Sequence, residues 1–457
     1  MTSTWSIMGV RRQVIVFAAR TGSAMVIMAL GSAAASASAQ PVLADLGVLP
    51  GFAVARANAV SDDGSVVVGT CQPTDSEGPS AAFVWTSDFG MQAIGSLPYC
   101  PETVGLCVNS DGSVVGGYAK CDAASFGRSE VGFRWSADSG IEMIIVPGSF
   151  SLSTRVRGMG NLSGDFAGQY ANPFALPMAF YVKDSALFLA SSLPGFGSAQ
   201  ATSMSGDGQW VAGTCFSDTV NEAVRWNAGA GDTTAHRLGM LEGFTICEAT
   251  AINDDGTVIV GLCSSVFPSP RRRSFIWSPT HQMRALGSLP AFSRDLGPLA
   301  VSGDGSTVGG AMLVGFQQRA FLYRSELGLV DFAAYLEGRG VNLEGRNLID
   351  ITGISSDGSV IVGNSGGVEG EVGGAWIVTN FGIGPVCNDI DINNDGSLFD
   401  PMDIEAYLSV YSEGSCVPEL SQCDDIDFNN DGSVFDPCDI AAFLLVFAEG
   451  PCGWCGG

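Results

Sequence analysis

The stretch Ala57-Asn-Ala-Val-Ser-Asp-Asp-Gly-Ser-Val-Val-Val-Gly69 decides the fold of most of this chain. Two short apolar runs flank an Asp-Gly pair, and glycine accepts the positive φ that a tight turn between strands requires. The stretch therefore predicts a β-hairpin. Its turn recurs along the chain with a period near fifty residues, at 61–65, 109–113, 205–209, 253–257, 302–306 and 355–359, with a worn copy at 161–165.

An aromatic strand follows each turn about twenty residues later, and a fourth strand then ends in a phrase such as Ile94-Gly-Ser-Leu-Pro98. Four short strands in each period are typical of a propeller blade. The chain is therefore predicted to be mainly β, with a seven-bladed β-propeller over residues 42–380. A β-solenoid or a pair of β-sandwiches is the alternative. The aromatic strands are Phe83-Val-Trp85, Phe133-Arg-Trp135, Phe180-Tyr181, Val224-Arg-Trp226, Phe275-Ile-Trp277, Phe321-Leu-Tyr323 and Ala375-Trp376.

The Leu-Pro phrase is missing after Trp376, but it occurs before the first turn as Leu46-Gly-Val-Leu-Pro50. The N-terminal segment can therefore supply the fourth strand of the seventh blade. Such pairing closes the ring and removes the exposed sheet edges that an open array would leave.

The hairpin Ala251-Ile-Asn-Asp-Asp-Gly-Thr-Val-Ile-Val-Gly261 and the strands Ala82-Phe-Val-Trp85 and Ala320-Phe-Leu-Tyr323 resemble the extracellular bacterial repeats of the HAF family. The resemblance covers nearly all of residues 42–380. It implies a secreted repeat protein and carries no established activity.

Residues 387–457 hold one acidic stretch twice, beginning at Cys387 and again at Cys423. Oxygen-bearing side chains at alternate positions, followed by glycine, are the pattern that binds calcium in EF-hand loops. The last carboxylate stands at position thirteen instead of twelve, after an added Asp-Pro pair. The candidate ligands of two calcium ions are Asp391, Asn393, Asp395, Ser397, Asp400 and Asp403 in the first loop, and Asp427, Asn429, Asp431, Ser433, Asp436 and Asp439 in the second.

An amphipathic helix is predicted after each loop, over 403–411 and 439–447. Two loop-helix units 36 residues apart resemble a dockerin, and the bracketing cysteines resemble its Gly- and Cys-containing bacterial subtype. The resemblance implies a small α-helical domain that folds with calcium and attaches to a cohesin-like protein or a cell-surface scaffold. A solvated acidic tail, or turns without metal, are the alternatives. Residues 381–386 are predicted to be the linker.

Residues 1–39 are typical of a secretory signal peptide. Arg11, Arg12 and Arg20 form a basic region before the short apolar stretch 24–35, and Ala37-Ser-Ala39 provides a small-residue cleavage site. The chain is therefore predicted to be exported to the cell surface, the extracellular medium or the periplasm, with a retained membrane anchor as the alternative. Thirteen cysteines suit an oxidising compartment, so disulfides are predicted with their connectivity left open.

The net charge of −26 argues against nucleic acid or an anionic membrane as partner. The two histidines, His236 and His281, do not favour a Ser-His-Asp site, and the run at 271–273 is interpreted as a solvated basic loop. The preferred hypothesis is a non-catalytic protein whose propeller face binds an extracellular glycan or protein. The alternatives are an extracellular polysaccharide hydrolase or lyase that uses paired carboxylates, and a structural cell-surface component.

Overall fold

The computed structural model describes residues 40–73, 78–122, 129–146, 153–160, 164–171, 174, 176–265, 271–287, 293–325, 327–366 and 373–381. Within these ranges more than half of the residues lie in β-strands and one short helix is present, which confirms the predicted mainly β class. The predicted signal peptide, the linker beyond Phe381 and every predicted calcium ligand lie outside the described residues and stay predictions.

The strands follow one another as antiparallel groups in chain order, after a separate N-terminal strand β1 (Val42–Asp45). Within each group, neighbours in the sequence are neighbours in the sheet. The first three groups are β2 (Phe52–Val60), β3 (Val66–Pro73), β4 (Ala81–Thr86) and β5 (Gly90–Ala93); β6 (Glu102–Val108), β7 (Val114–Lys120), β8 (Glu130–Ser136) and β9 (Gly140–Met143); and β10 (Thr154–Met159), β11 (Phe166–Ala171), β12 (Pro177–Lys183) and β13 (Ala186–Leu189).

The next three groups repeat this arrangement, and one short helix, α1 (Phe332–Gly338), precedes the last group. The strands are β14 (Ser198–Met204), β15 (Trp210–Phe216), β16 (Asn221–Asn227) and β17 (His236–Arg237); β18 (Ile246–Ile252), β19 (Ile259–Ser265), β20 (Arg271–Ser278) and β21 (Gln282–Ala285); β22 (Ser293–Val301), β23 (Val308–Val314), β24 (Gln317–Arg324) and β25 (Gly328–Asp331); and finally β26 (Asn347–Ile354), β27 (Ile361–Gly366) and β28 (Ala375–Thr379).

The hydrogen-bonded strands of the described residues form six sheets, where the sequence predicted seven separate blades. The difference arises between the fourth and fifth groups. There a parallel pairing of Asn221 in β16 with Ile246 in β18 joins the two groups into one eight-stranded sheet. The other five sheets have four strands each.

Strand β1 completes the last group, as the displaced Leu-Pro phrase predicted. It pairs antiparallel with β28, from Val42 opposite Thr379 to Asp45 opposite Trp376. Leu46 and Leu49, which follow β1, are buried beneath the first and last groups, at 4% and 6% exposure. The N-terminal segment is therefore an integral part of the β domain.

The first and last groups of strands are also in direct contact. The backbone amide of Ala57 donates to Asn364 Oδ1 at 2.9 Å, and the Thr352 hydroxyl donates to the Ala57 carbonyl at 2.9 Å. Both bonds join residues about 300 positions apart in the sequence.

The glycine of each Val-Val-Gly phrase lies opposite the aromatic strand of its group. Gly69 in β3 pairs with Phe83 in β4, whose side chain is fully buried. A Cβ at Gly69 would lie 2.0 Å from the Arg56 carbonyl oxygen and 2.7 Å from the Phe83 ring, so a larger residue would collide with both the backbone and the ring. The close approach explains why the repeat keeps glycine at a position of regular strand geometry.

Helix α1 was not predicted from the sequence. Asp331 begins it, because its carboxylate accepts a hydrogen bond from the Ala334 amide at 3.1 Å. Its buried Phe332 stacks on Trp376 with ring centroids 5.7 Å apart. No helix in the described ranges has the length and apolar character needed to cross a membrane.

Two disulfides link described residues and agree with the prediction that the chain forms disulfides, namely Cys100–Cys121 and Cys247–Cys263. Cys247 and Cys263 lie opposite each other in β18 and β19. Cys71 occupies the same repeat position as Cys263, but its partner in the ladder is Ala55, so it remains a buried thiol.

Candidate binding site in the central cavity

Every first strand of a group carries a β-bulge at the same position of the repeat. In β2, for example, the pairing moves from Ala57 opposite Gly69 to Ala59 opposite Val68, which leaves Asn58 unpaired. A bulge re-aims the side chain of the extra residue. We call these residues the bulge ring; they are Asn58, Leu106, Arg157, Thr202, Thr250, Leu299 and Thr352.

All members of the bulge ring line a single cavity of about 420 Å³, which we call the central cavity. Small-molecule sites commonly have volumes of roughly 300–1,000 Å³. Since each group contributes the same position to the wall, the site depends on the whole β domain and not on one repeat.

Most polar side chains of the bulge ring hold neighbouring strands together. Asn58 Nδ2 donates to the Gly105 carbonyl of the next group, and Thr352 does the same to Ala57. Thr202 and Thr250 donate to backbone carbonyls within their own groups, each at 3.2 Å. These four side chains therefore have hydrogen-bond acceptors within the protein.

Arg157 is the one charged member of the bulge ring. Its Nε donates to Gln169 Oε1 at 3.2 Å, and no carboxylate in the described residues forms an ion pair with it. Burial, with repulsion from the neighbouring Arg155, lowers the pKa of Arg157. Arg155 is paired instead with Glu130, through two hydrogen bonds of 2.6 and 2.7 Å.

The hairpin turns supply two carboxylates to the same cavity, Asp62 and Asp254. The Ser356 hydroxyl donates to Asp254 Oδ2 at 2.6 Å, and Ser110 provides a side-chain hydrogen bond to Asp62. Burial, with repulsion from Asp254, nevertheless raises the pKa of Asp62 above its ordinary value of 3.8.

Backbone hydrogen bonds connect the turns of successive groups. The Asp62 amide donates to the Ser110 carbonyl at 3.0 Å, and the Ser356 amide of the last group donates to the Asp62 carbonyl at 2.8 Å. Similar bonds join Asp207 to Asp254, Asp254 to Gly303, and Asp304 to Ser356. These bonds fix the carboxylates of Asp62 and Asp254 relative to each other.

The aspartates that precede the turn glycines bond to their own hairpins. Asp63 accepts from the Ser65 amide at 3.0 Å, and Asp111 accepts from the Ser113 amide at 2.9 Å. The hydrogen bonds from Ser113 lower the pKa of Asp111. Such Asx-type bonds stabilise the turn.

The two histidines lie on the surface and do not line the central cavity. His236 Nε2 is 3.2 Å from Asp232 Oδ2, and His281 Nδ1 is 3.0 Å from Thr280 Oγ1. His281 lines a second cavity of about 380 Å³, at the fifth and sixth groups. A Ser-His-Asp site therefore does not form around the central cavity.

The basic run at 271–273 is not a loop, which corrects the sequence interpretation. It begins strand β20 and pairs with β19. Arg273 donates to the Gly287 carbonyl at 3.1 Å, and the Arg271 guanidinium lies 5.4 Å from the centre of the Phe244 ring. The backbone of the run is paired in a strand, while the side chains of Arg271 and Arg272 remain exposed to solvent.

Across the described part of the chain, no group of three or more His, Cys, Asp or Glu side chains could hold a metal ion. The twelve predicted calcium ligands fall in residues 391–439, which the structure does not describe. The calcium prediction therefore rests on the sequence.

Sequence reasoning missed the bulge ring because its residue types differ from repeat to repeat. A positional signal does exist. Asn58 precedes the turn glycine Gly64 by six positions, and Thr352 precedes Gly358 by the same spacing. An offset of this kind could have identified the cavity-lining position without any similarity of side chain.

No protein-family model matches this chain, and no curated protein shows significant sequence similarity to it. Among solved structures, the chain is similar to oligogalacturonate lyase from Vibrio parahaemolyticus, at 10% identity and a TM-score of 0.48, over 74% of this chain and 93% of the lyase. It is also similar to TolB from Acinetobacter baumannii, at 12% identity and a TM-score of 0.40, over 58% of this chain and 62% of TolB. A prolyl endopeptidase matches at 14% identity and a TM-score of 0.47, over 69% of this chain and 47% of its own. The chain thus spans less than two thirds of TolB, and these identities are too low to transfer an activity.

Proposed function

We propose that this protein is an exported, non-catalytic binding protein whose ligand occupies the central cavity. One observation carries the proposal: the bulged residue of every strand group lines the same cavity. A concave site with a few convergent polar groups is the usual form of a small-ligand site. The ligand class favoured by the sequence is an extracellular glycan or a protein segment.

We further propose that the seven strand groups form one closed seven-bladed β-propeller. The pairing of β1 with β28 supports this proposal, as do the hydrogen bonds between Ala57 and the last group. In a closed ring the central cavity has a complete wall, so ligand affinity depends on every blade.

The proposed calcium-dependent tether comprises residues 387–457 and would bind two calcium ions and a cohesin-like protein or surface scaffold. Its support is the repeated acidic loop and the dockerin resemblance of the sequence. A secreted binding protein and a surface tether are compatible, because the tether would keep the central cavity at the cell surface.

The binding proposal is tested by applying the full chain to glycan and protein arrays, with product release measured on every glycan that binds. We expect retention of a ligand without turnover. The rival function, a polysaccharide hydrolase or lyase, is favoured by Asp62 and Asp254, because a carboxylate pair with one raised pKa suits glycoside chemistry. Turnover that Asp62→Asn or Asp254→Asn abolishes would overturn the non-catalytic proposal.

The calcium proposal is tested by calorimetric titration of the full chain at constant ionic strength. We expect two saturable sites that the double substitution Asp391→Ala, Asp427→Ala removes. A matched control removes the same charge at Asp389 and Asp425, which precede the loops in equivalent positions and are not candidate ligands. Absence of binding at about 1 mM calcium, the weak end for extracellular modules, would contradict the tether.

A further inference from the structure

We propose that Arg157 recognises an oxyanion, a carboxylate or phosphate group, on the ligand of the central cavity. The proposal deepens the proposed binding function and rests on it for the identity of the complete ligand. The anion site itself can be tested without that ligand.

The position of Arg157 in its strand places it at the cavity wall. Arg157 is the bulged residue of β10, and it lines the central cavity with the other members of the bulge ring. The other six members are uncharged, with three threonines, two leucines and one asparagine. Arg157 therefore provides the single positive charge of the bulge ring.

Arg157 has more hydrogen-bond donors than the one acceptor bonded to its Nε. A guanidinium has five N–H donors, and Arg157 uses Nε for Gln169. Glu130, the carboxylate whose charge acts on Arg157, is already engaged by Arg155 through two hydrogen bonds. The terminal nitrogens of Arg157 therefore find no carboxylate among the described residues.

The protein is rich in carboxylates that could pair with an arginine. Acidic residues outnumber basic residues by 47 to 21, so carboxylates are plentiful. Five other arginines of the described residues form an ion pair with a carboxylate, including Arg134 with Glu142, Arg319 with Asp331 and Arg346 with Asp45. A partly buried guanidinium without such a partner carries a desolvation cost, and a bound oxyanion would offset that cost through a bidentate pair.

The carboxylates of the cavity limit the rest of the ligand. Asp62 and Asp254 lie four positions beyond Asn58 and Thr250 of the bulge ring, on the side of the hairpin turns. They would repel a second anionic group. The geometry therefore favours a ligand with one oxyanion group and a neutral, hydroxyl-bearing or cationic remainder.

The test is a titration of the full chain, labelled with ¹⁵N-arginine, with sodium acetate and with inorganic phosphate at constant ionic strength. The Nε–H resonance of Arg157 is assigned by its loss in Arg157→Gln. We expect a saturable shift of this resonance by one or both probes. The stronger probe identifies carboxylate or phosphate as the preferred group.

Affinity for that probe, measured by calorimetry, should fall at least about tenfold in Arg157→Gln, because a charged hydrogen-bonded contact is lost. Arg157→Lys should keep part of the affinity, since a lysine retains the charge without the bidentate geometry. Arg294→Gln removes the same charge at an exposed position outside the cavity and should leave affinity unchanged. Circular dichroism of each variant verifies that the fold is retained.

Two results would overturn the anion site: no saturable shift with either probe, or equal affinities in Arg157→Gln and the unaltered protein. Its failure is distinguishable from failure of the proposed function. An array ligand that binds equally well to Arg157→Gln would leave the binding function standing and remove the oxyanion. If Arg157 binds an anion but the chain binds no array ligand, the anion site stands and the proposed binding function fails.

Discussion

The substitution Leu46→Ala tests whether the N-terminal segment holds the β domain together. Leu46 follows β1, is 4% exposed, and its amide donates to the Ala375 carbonyl at 3.0 Å. Its side chain packs among residues of the first and last groups, including Val67 and Ile377. Truncation would leave a cavity between the two groups.

The expected loss of unfolding free energy is about 2–5 kcal/mol, the usual cost of replacing a buried leucine with alanine. Val48→Ala is the matched control, because Val48 lies two residues away and is 44% exposed. This control should change the unfolding free energy by less than about 0.5 kcal/mol, as for most surface substitutions.

The assay is urea denaturation of the full chain followed by tryptophan fluorescence, with the disulfides kept oxidised. Leu46→Ala should lower the denaturation midpoint, while the dependence on urea stays unchanged. Equal midpoints for Leu46→Ala and Val48→Ala would refute the reasoning, because the N-terminal segment would then contribute nothing to the domain.

Three further predictions concern charged side chains, each measured by the same denaturation assay. Lys183→Met should cost about 3–5 kcal/mol, because it leaves Asp165, which is 2% exposed, buried without its partner; the exposed Lys120→Met should cost less than about 1 kcal/mol. Equal costs would contradict this. Asp62→Asn should raise the unfolding free energy above that of the unaltered protein by more at pH 7 than at pH 4. The reason is that the folded pKa of Asp62 is raised above 3.8, so the unaltered protein loses stability as the pH rises and Asp62 ionises, whereas asparagine stays neutral. An equal difference at the two pH values would refute it. Arg225→Met should cost about 1–2 kcal/mol, since the guanidinium lies 3.8 and 4.5 Å from the centres of two tryptophan rings; no loss would exclude this cation–π contribution.

The strand pattern could be predicted because the repeat encodes it locally. An Asp-Gly turn fixes the first hairpin in six of the seven repeats, and Gly64 indeed has a positive φ of 72°. The displaced phrase at Leu46 then predicted the pairing of β1 with β28, since the last repeat lacked that strand. These features depend on residues close in sequence or on the count of strands in each repeat.

The central cavity could not be predicted, because it depends on how the groups pack against each other. A bulge is a property of two paired strands, and Asn58, Leu106 and Arg157 share no chemistry that would mark them. Helix α1 was missed for a related reason. Its seven residues carry too little periodicity, and the burial of Phe332 against Trp376 stabilises it.

The most direct test of the account is array binding by Leu299→Trp, compared with the unaltered chain. Leu299 belongs to the bulge ring and is 41% exposed, so a larger side chain can enter the central cavity without disrupting the core. Phe316→Trp is the control, because Phe316 is fully exposed and outside the cavity. We expect Leu299→Trp to lose the array ligand and Phe316→Trp to retain it. Retention of the ligand by both variants would contradict the claim that the central cavity is the binding site.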